Sequence, residues 1–218
     1  MIARGVRFCT SIVMIGLCGY AVIRAAAVFS FAVAERLATP DAAQTGLRPF
    51  LDGPEFGARA QLDLLAFNLD RSPVDRAGNL RRLLALTPLA SGVWLDLAVA
   101  RLAAGEGADK SAASLALSNL TGPNESAIMA GRAVFALPLW SALPADLRRR
   151  SAIDLVGGWD SLNTVDRAGL KLALSAAPVE TRLQIGNALQ LAGANGAKIR
   201  LTLGLAPRAS PIRQKDGN

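Results

Sequence analysis

The chain has 218 residues, of which 51% are apolar and 19% charged, a balance that fits one modest domain with an appendage and argues against disorder throughout. Histidine is absent, which removes Ser-His-Asp and Cys-His catalysis, histidine metal sites and the usual proton shuttle. Aromatics make up only 5% while Ala and Leu dominate, so helices are expected instead of sheet.

The first element is an apolar run from Phe8 to Ala34 whose only charge is Arg24, with Arg4 and Arg7 before it and Glu35 and Arg36 after it. A helix crossing a bilayer needs ~20 apolar residues at ~1.5 Å each. Phe8–Ile23 supplies sixteen, and the Arg24 side chain can snorkel to the outer interface. Arg4 and Arg7 should hold the amino end in the cytoplasm. Residues 1–36 are therefore expected to form a retained transmembrane anchor, touching the bilayer through 8–34. Two alternatives stay open: a signal peptide cleaved after Ala32-Val33-Ala34, and a buried helix of a soluble protein. Against the first, the run exceeds the ~7–15 residues of a signal-peptide core, and Arg24 sits oddly between core and cleavage site. Gly16 and Gly19 would permit close packing against another membrane helix. Cys9 and Cys18 point to different faces of one helix and cannot bridge each other.

The formal charge is +7, but Arg4, Arg7 and Arg24 belong to this segment. From Glu35 onward 21 Lys and Arg face 17 Asp and Glu, a balance of only +4. Nucleic acid is not an expected partner, because a dense basic face with interleaved aromatics is missing. Attraction to anionic lipid or an anionic glycan is the most this charge supports.

Residues 37–54 hold Pro40, Pro49 and Pro54 with Gly46 and Gly53, and are expected to be a linker. Amphipathic helices follow, near 55–69, from Ser72 to about Thr87, 91–104, 108–120, 124–136, 144–156, 163–176 and 179–192, with 197–204 a short helix or strand. Pro54, Pro144 and Pro178 suit first turns. Ser72-Pro73-Val74-Asp75 combines a hydroxyl cap, Pro and an acid, and Ser91 is a second candidate cap. Pro138 and Gly157-Gly158 read as breaks, and 207–218 as a disordered tail.

Internal similarity is present. Trp94, Leu97 and Ala98 open one helix, Gly105 closes it, Ala112 or Ala113 and Leu117 follow, and Pro123 stands 35 positions after Pro88. Ala60, Leu64, Ala77, Leu84 and Pro88 make a weaker upstream copy. This pattern resembles the tetratricopeptide repeat (TPR), whose unit is about 34 residues. Val74-Asp75-Arg76-Ala77-Gly78 recurs as Val165-Asp166-Arg167-Ala168-Gly169, through shared repeat ancestry or chance in an Ala/Leu/Arg-rich chain. The expected fold is all-α: antiparallel helical hairpins stacked as a short TPR-like solenoid over 55–206, preceded by one transmembrane helix. A plain helical bundle without true repeats is the alternative. The resemblance implies a concave groove for a protein partner, faced here by Leu65, Asn68, Leu95, Val99 and Leu102. Those positions are mainly apolar, so the groove takes an apolar segment or is filled by the chain's own later helices.

Residues fit for chemistry are few. Asp63/Asp70 and Asp160/Asp166 are formal acid/base pairs, better explained as solvated helix surface or caps. Ser111, Ser114 and Ser118 share a helix near Lys110, the sole basis for a Ser-Lys dyad. No Walker, Rossmann or EF-hand pattern occurs, so no cofactor and no metal is expected. Arg148-Arg149-Arg150 is the densest charge run. It reads as a solvated face paired through Asp146–Arg150 and Arg150–Asp154, or as a basic surface that docks an acidic partner.

Together with the anchor, the resemblance implies a non-catalytic adaptor, in polysaccharide export or secretion machinery by family association, and the Ala/Arg/Gly-rich composition points to a bacterial envelope. The amino end would be cytoplasmic and the helical domain periplasmic on the inner membrane, with a protein partner there. The alternative is an accessory subunit held in a larger membrane complex through its helix.

Overall fold

The computed structural model describes residues 2–39, 42–53, 55–66 and 72–205, with side chains from residue 13 onward except at 44 and 66. Asn68, Leu69, Asp70, Pro54, the tail 207–218 and the side chains of Cys9 and Ser11 lie outside what is described. Eleven α-helices appear among the described residues, and no strand. They are α1 (Ile2–Arg36), α2 (Ala43–Leu47), α3 (Gly57–Ala66), α4 (Pro73–Leu86), α5 (Ser91–Ala103), α6 (Ala108–Thr121), α7 (Ser126–Ala136), α8 (Ala145–Gly158), α9 (Thr164–Ala176), α10 (Val179–Leu191) and α11 (Ala194–Thr202). The chain divides into two compact units between Arg71 and Ser72, with Ala85–Thr87 counted in the first.

In the first unit α1 changes character along its length. From Val13 to Arg36 it is long and apolar enough to cross a membrane, with a mean hydropathy of 1.8 in its most apolar window. Val13, Ile15, Tyr20, Ile23 and Phe29 are exposed, so a buried soluble helix does not describe this stretch. Phe31 marks the change. It is buried, stacks on Phe56 with centroids 4.7 Å apart and meets Phe50 edge-on at 5.2 Å. Ala43 and Leu47 of α2 and Ala60 of α3 complete this cluster. Residues 37–54 are thus more than a linker: α2 and a 3-10 turn at Arg48–Phe50 supply apolar side chains that the end of α1 covers. Arg24 pairs with Glu55, and Arg59 bridges Glu35 at 2.7 Å and Asp63 at 3.6 Å. Burial, and then the nearby Glu35, raise the Asp63 pKa, while Arg59 opposes the shift.

The second unit is built on helix pairs. α5 and α6 run antiparallel: Ser111 Oγ donates to Ala98 O at 2.9 Å and Ser118 Oγ to Ser91 O at 2.8 Å, so the partner number falls as the α6 number rises. The turn between them passes through Gly105 and Gly107, at φ 73° and 94°, a backbone region that a side chain disfavours. α7 and α8 are antiparallel too, since a Cβ on Gly158 would lie 2.3 Å from the Ala130 nitrogen while Asp154 meets Arg132. Gly157 and Gly158 close α8, which ends at Gly158 where the break is expected, and they also serve close packing against Met129 and Ala130.

α7 is apolar nearly all round, which lets it feed two cores. Ala130, Ala133 and Leu137 pack with Leu155, Leu174, Ile185, Leu189 and Ile199, whereas Ala136 joins Ala98, Leu115, Leu143 and Leu147. Trp140 is buried in the first core, and its indole N–H donates to Gln184 Oε1 at 3.2 Å. Trp94 is half-buried and donates to Pro88 O at 2.8 Å; Trp159 lies 4.9 Å under the Arg167 guanidinium.

Side-chain caps set two of the helix starts. Ser72 Oγ accepts from Asp75 N at 3.2 Å, a side-chain cap on α4, and donates to the Asp75 carboxylate at 2.8 Å. Asn163 caps α9 through Asp166 N at 2.8 Å. The two identical pentapeptides thus open helices in the same local way. Their surroundings differ, since Ala77 is buried and Ala168 exposed. Ser91 is not a cap: it is the first residue of α5 and donates to Glu125 Oε1 at 2.8 Å. The last segment is helical, as α11.

Candidate functional site

The expected groove positions do not come together in one unit. Leu65 is half-buried on α3 in the first unit, while Leu95, Val99 and Leu102 are on α5 in the second; Asn68 lies outside the described residues. Leu95 is spent internally, because α7 comes so close that a Cβ on Gly131 would stand 2.9 Å from Leu95 Cδ2. Val99 and Leu102 stay exposed. The likeness to TPR units divides in the same way. Trp94, Leu97, Ala98, Ala112 and Leu117 sit on the α5–α6 pair, but in the upstream copy Ala60 and Leu64 belong to one unit and Ala77 and Leu84 to the other.

The serines of α6 are occupied by packing. Ser111 and Ser118 bond α5 carbonyls, and Ser114 Oγ accepts from Arg101 at 2.7 Å while donating to Lys110 O at 3.2 Å. Among the described residues no serine hydroxyl bonds the Lys110 amine, which stands 3.8 Å from Glu106. Glu106, in the α5–α6 turn, also pairs with Arg81 and lies 3.7 Å from Arg101. Its hydrogen bond from Arg81 holds its pKa below the usual 4.5. Asp160 and Asp166 are surface and cap residues; of the other pair only Asp63 is described. Among the described residues no group of three or more possible ligands could hold a metal ion.

Among the described residues Arg150 forms no ion pair with Asp146 or with Asp154, and Asp154 faces inward. It is 2% exposed and is gripped by Arg132, itself fully buried, through bonds of 2.8 and 2.9 Å to the two carboxylate oxygens. The remaining guanidinium nitrogen donates to Ser118 O at 3.1 Å and Gly122 O at 3.0 Å, at the end of α6. One arginine of α7 thereby satisfies carbonyls of α6 and a carboxylate of α8. Sequence reasoning missed it, since an Arg inside SAIMAGRAVFA gives no sign of its partner.

Loss of that pairing leaves the basic run free to face elsewhere. Arg148 is half-buried and Arg149 and Arg150 are exposed on α8. Arg148 donates to Gln184 Oε1 at 3.3 Å, the oxygen that also takes the Trp140 N–H. Arg148 and Arg149 border a groove of about 650 Å³ between α8 and α10, lined by Trp140, Ile153, Gln184 and Leu191. The α10 half of this site was not foreseen: Gln184 lies 36 positions from Arg148, with no motif linking them. Gly16 and Gly19 are exposed, and a Cβ at either would meet nothing within 4 Å.

Compared with known protein families, with curated proteins and with solved structures, the chain matches none.

Proposed function

We propose that the chain is a non-catalytic, membrane-anchored adaptor: α1 spans a bacterial inner membrane with its amino end cytoplasmic, and the helical domain assembles a protein partner on the periplasmic side. The observation that carries this reading is the uncovered apolar surface of Val13–Phe29, next to a Phe31 that is locked into folded structure. Exposed apolar area on this scale needs a cover, and a bilayer is the cover that fits a single long helix. Cleavage after Ala34 would remove Phe31 from between Phe50 and Phe56, which favours a retained anchor. The antiparallel α5–α6 pair, with its glycine turn and exposed Val99 and Leu102, supports a TPR-like mode of partner binding. An accessory role in polysaccharide export or secretion follows only from the family resemblance.

The second reading, a subunit held in a larger complex through α1, is favoured by the open surface at Gly16 and Gly19. Crosslinking in native membranes with mass spectrometry tests both. The expected result is an intact amino-terminal peptide and a reproducible neighbour linked to 72–205. A soluble chain beginning near Glu35 overturns the anchor, and an intact chain without a neighbour overturns the adaptor. Exchange of α1 for a generic membrane helix separates the readings, since only the second expects the partner to be lost.

A further inference from the structure

The groove between α8 and α10 has a chemistry that the adaptor role does not use. Its wall is apolar, with Ile153 42% and Leu191 88% exposed, so large apolar side chains stand in solvent around a concavity. Its volume of about 650 Å³ falls within the ~300–1,000 Å³ of small-ligand sites, which are apolar with a few placed polar groups. Here those groups are cationic. Arg148 and Arg149 make no ion pair with any described carboxylate, and the lining contains no acid. Glu180 accepts from the Gln184 amide at 3.3 Å, and Asp146 lies on α8 ahead of the arginines without lining the groove. Gln184 Oε1 in turn holds the Arg148 guanidinium at the rim, beside the buried Trp140.

We infer that this groove binds an amphiphilic monoanion: a carboxylate on an apolar chain, its charge against Arg148 and Arg149 and its chain along Ile153 and Leu191. Guanidinium and carboxylate form charge-assisted, often bidentate bonds, so the rim selects the head group while the apolar wall selects the tail. The size of the site favours a small amphiphile over a folded partner. Ten residues line it, whereas a stable protein interface engages ~20–30 on each side. The inference stands apart from the anchored-adaptor proposal, because it needs neither a partner nor a particular membrane.

The test is titration of 8-bromooctanoate into the full chain in nanodiscs of zwitterionic lipid, read as quenching of tryptophan emission. Bromooctanol and bromoacetate are the neutral and the tail-less probes. Saturable quenching by the octanoate alone is expected, with Trp140→Phe removing it. The double variant Arg148→Gln/Arg149→Gln should weaken it about tenfold or more at unchanged melting temperature. Leu191→Glu, at a position too exposed to matter for folding, should abolish it by placing an acid in the groove. Absence of saturable quenching, equal quenching by bromooctanol, or persistence in the arginine double variant or in Leu191→Glu would each overturn the inference. Binding of an acidic peptide without any response to the octanoate would overturn it as well.

Discussion

The α5–α6 and α7–α8 pairs of the second unit are both antiparallel and alanine-rich, yet they are closed by different chemistry. α5–α6 is knit in its buried seam by neutral hydroxyls, Ser111 and Ser118, each donating to a carbonyl of α5, while the half-buried Arg101 bonds Ser114 and the Lys110 carbonyl nearer the turn. α7–α8 is knit by a fully buried charge, Arg132, on the Asp154 carboxylate. A hydroxyl–carbonyl bond adds a modest ~0.5–1.5 kcal/mol, and its loss can be tolerated. A buried guanidinium has no neutral fallback, so every one of its donors needs a partner or the region does not close. The first pair is held by increments, the second by a single arrangement that is complete or absent.

Breaking the charge pair should have the largest effect. Arg132→Met leaves Asp154 buried without a counter-charge and orphans the Gly122 carbonyl, and should cost ~3–5 kcal/mol in urea unfolding. Arg132→Met with Asp154→Leu should recover most of that loss, because two apolar side chains need no partner. A double variant no more stable than the single would show that the α6 carbonyls, not the ion pair, set the cost.

Next in size is the close approach of α7 and α8. Gly158→Ala sets a methyl 2.3 Å from the Ala130 nitrogen and should lose ~1–3 kcal/mol. Gly169→Ala, with open space around the new methyl, should gain ~0.5–1 kcal/mol from helix propensity alone. Thermal melts of the two variants should therefore move in opposite directions.

Ser118→Ala, in the neutral seam, should cost only ~1 kcal/mol, although the Ser118 hydroxyl is as buried as Arg132. A loss as large as that of Arg132→Met would erase the distinction between the pairs. The smallest effect belongs to Glu106, at the exposed turn of α5–α6. Its folded-state pKa is lowered, so its contribution is present above the ordinary carboxylate value of 4.5 and is lost as pH falls through the lowered value. Glu106→Gln should change the neutral-pH melting temperature little, and the gap between the two proteins should close in acid.

How much of this was legible beforehand varies with the range of the interaction. The Ser72 cap on Asp75, the glycine turn at 105–107 and the apolar run in α1 are local, each settled by residues within a few positions, and the sequence shows them. The burial of Arg132 and the turning of Asp154 away from Arg150 depend on helices that meet only after packing. Gly157-Gly158 reads as punctuation, and α8 does end there; that the same pair is also a tight crossing depends on where Met129 and Ala130 of α7 come to lie. The same holds for the Arg148–Gln184 contact, where a basic run gains a rim and a groove from a helix far along the chain. The identical pentapeptides make the converse point, since a shared helix start did not bring a shared environment at Ala77 and Ala168.

By itself, then, the sequence determined a mainly helical chain, the boundaries of α4–α10 to within a few residues, and one amino-terminal helix long and apolar enough for a membrane, but not α2. Periodicity, capping and hydropathy act over one or two turns, and those distances are written in the order of residues. The tertiary structure alone decided which arginine would be buried, which glycines would be contacts, that Phe31 closes a cluster with Phe50 and Phe56, and that α8 and α10 enclose an apolar groove with a cationic rim. Those outcomes turn on which faces of distant helices find each other, and burial converts the same side chains from solvated surface into obligatory partners.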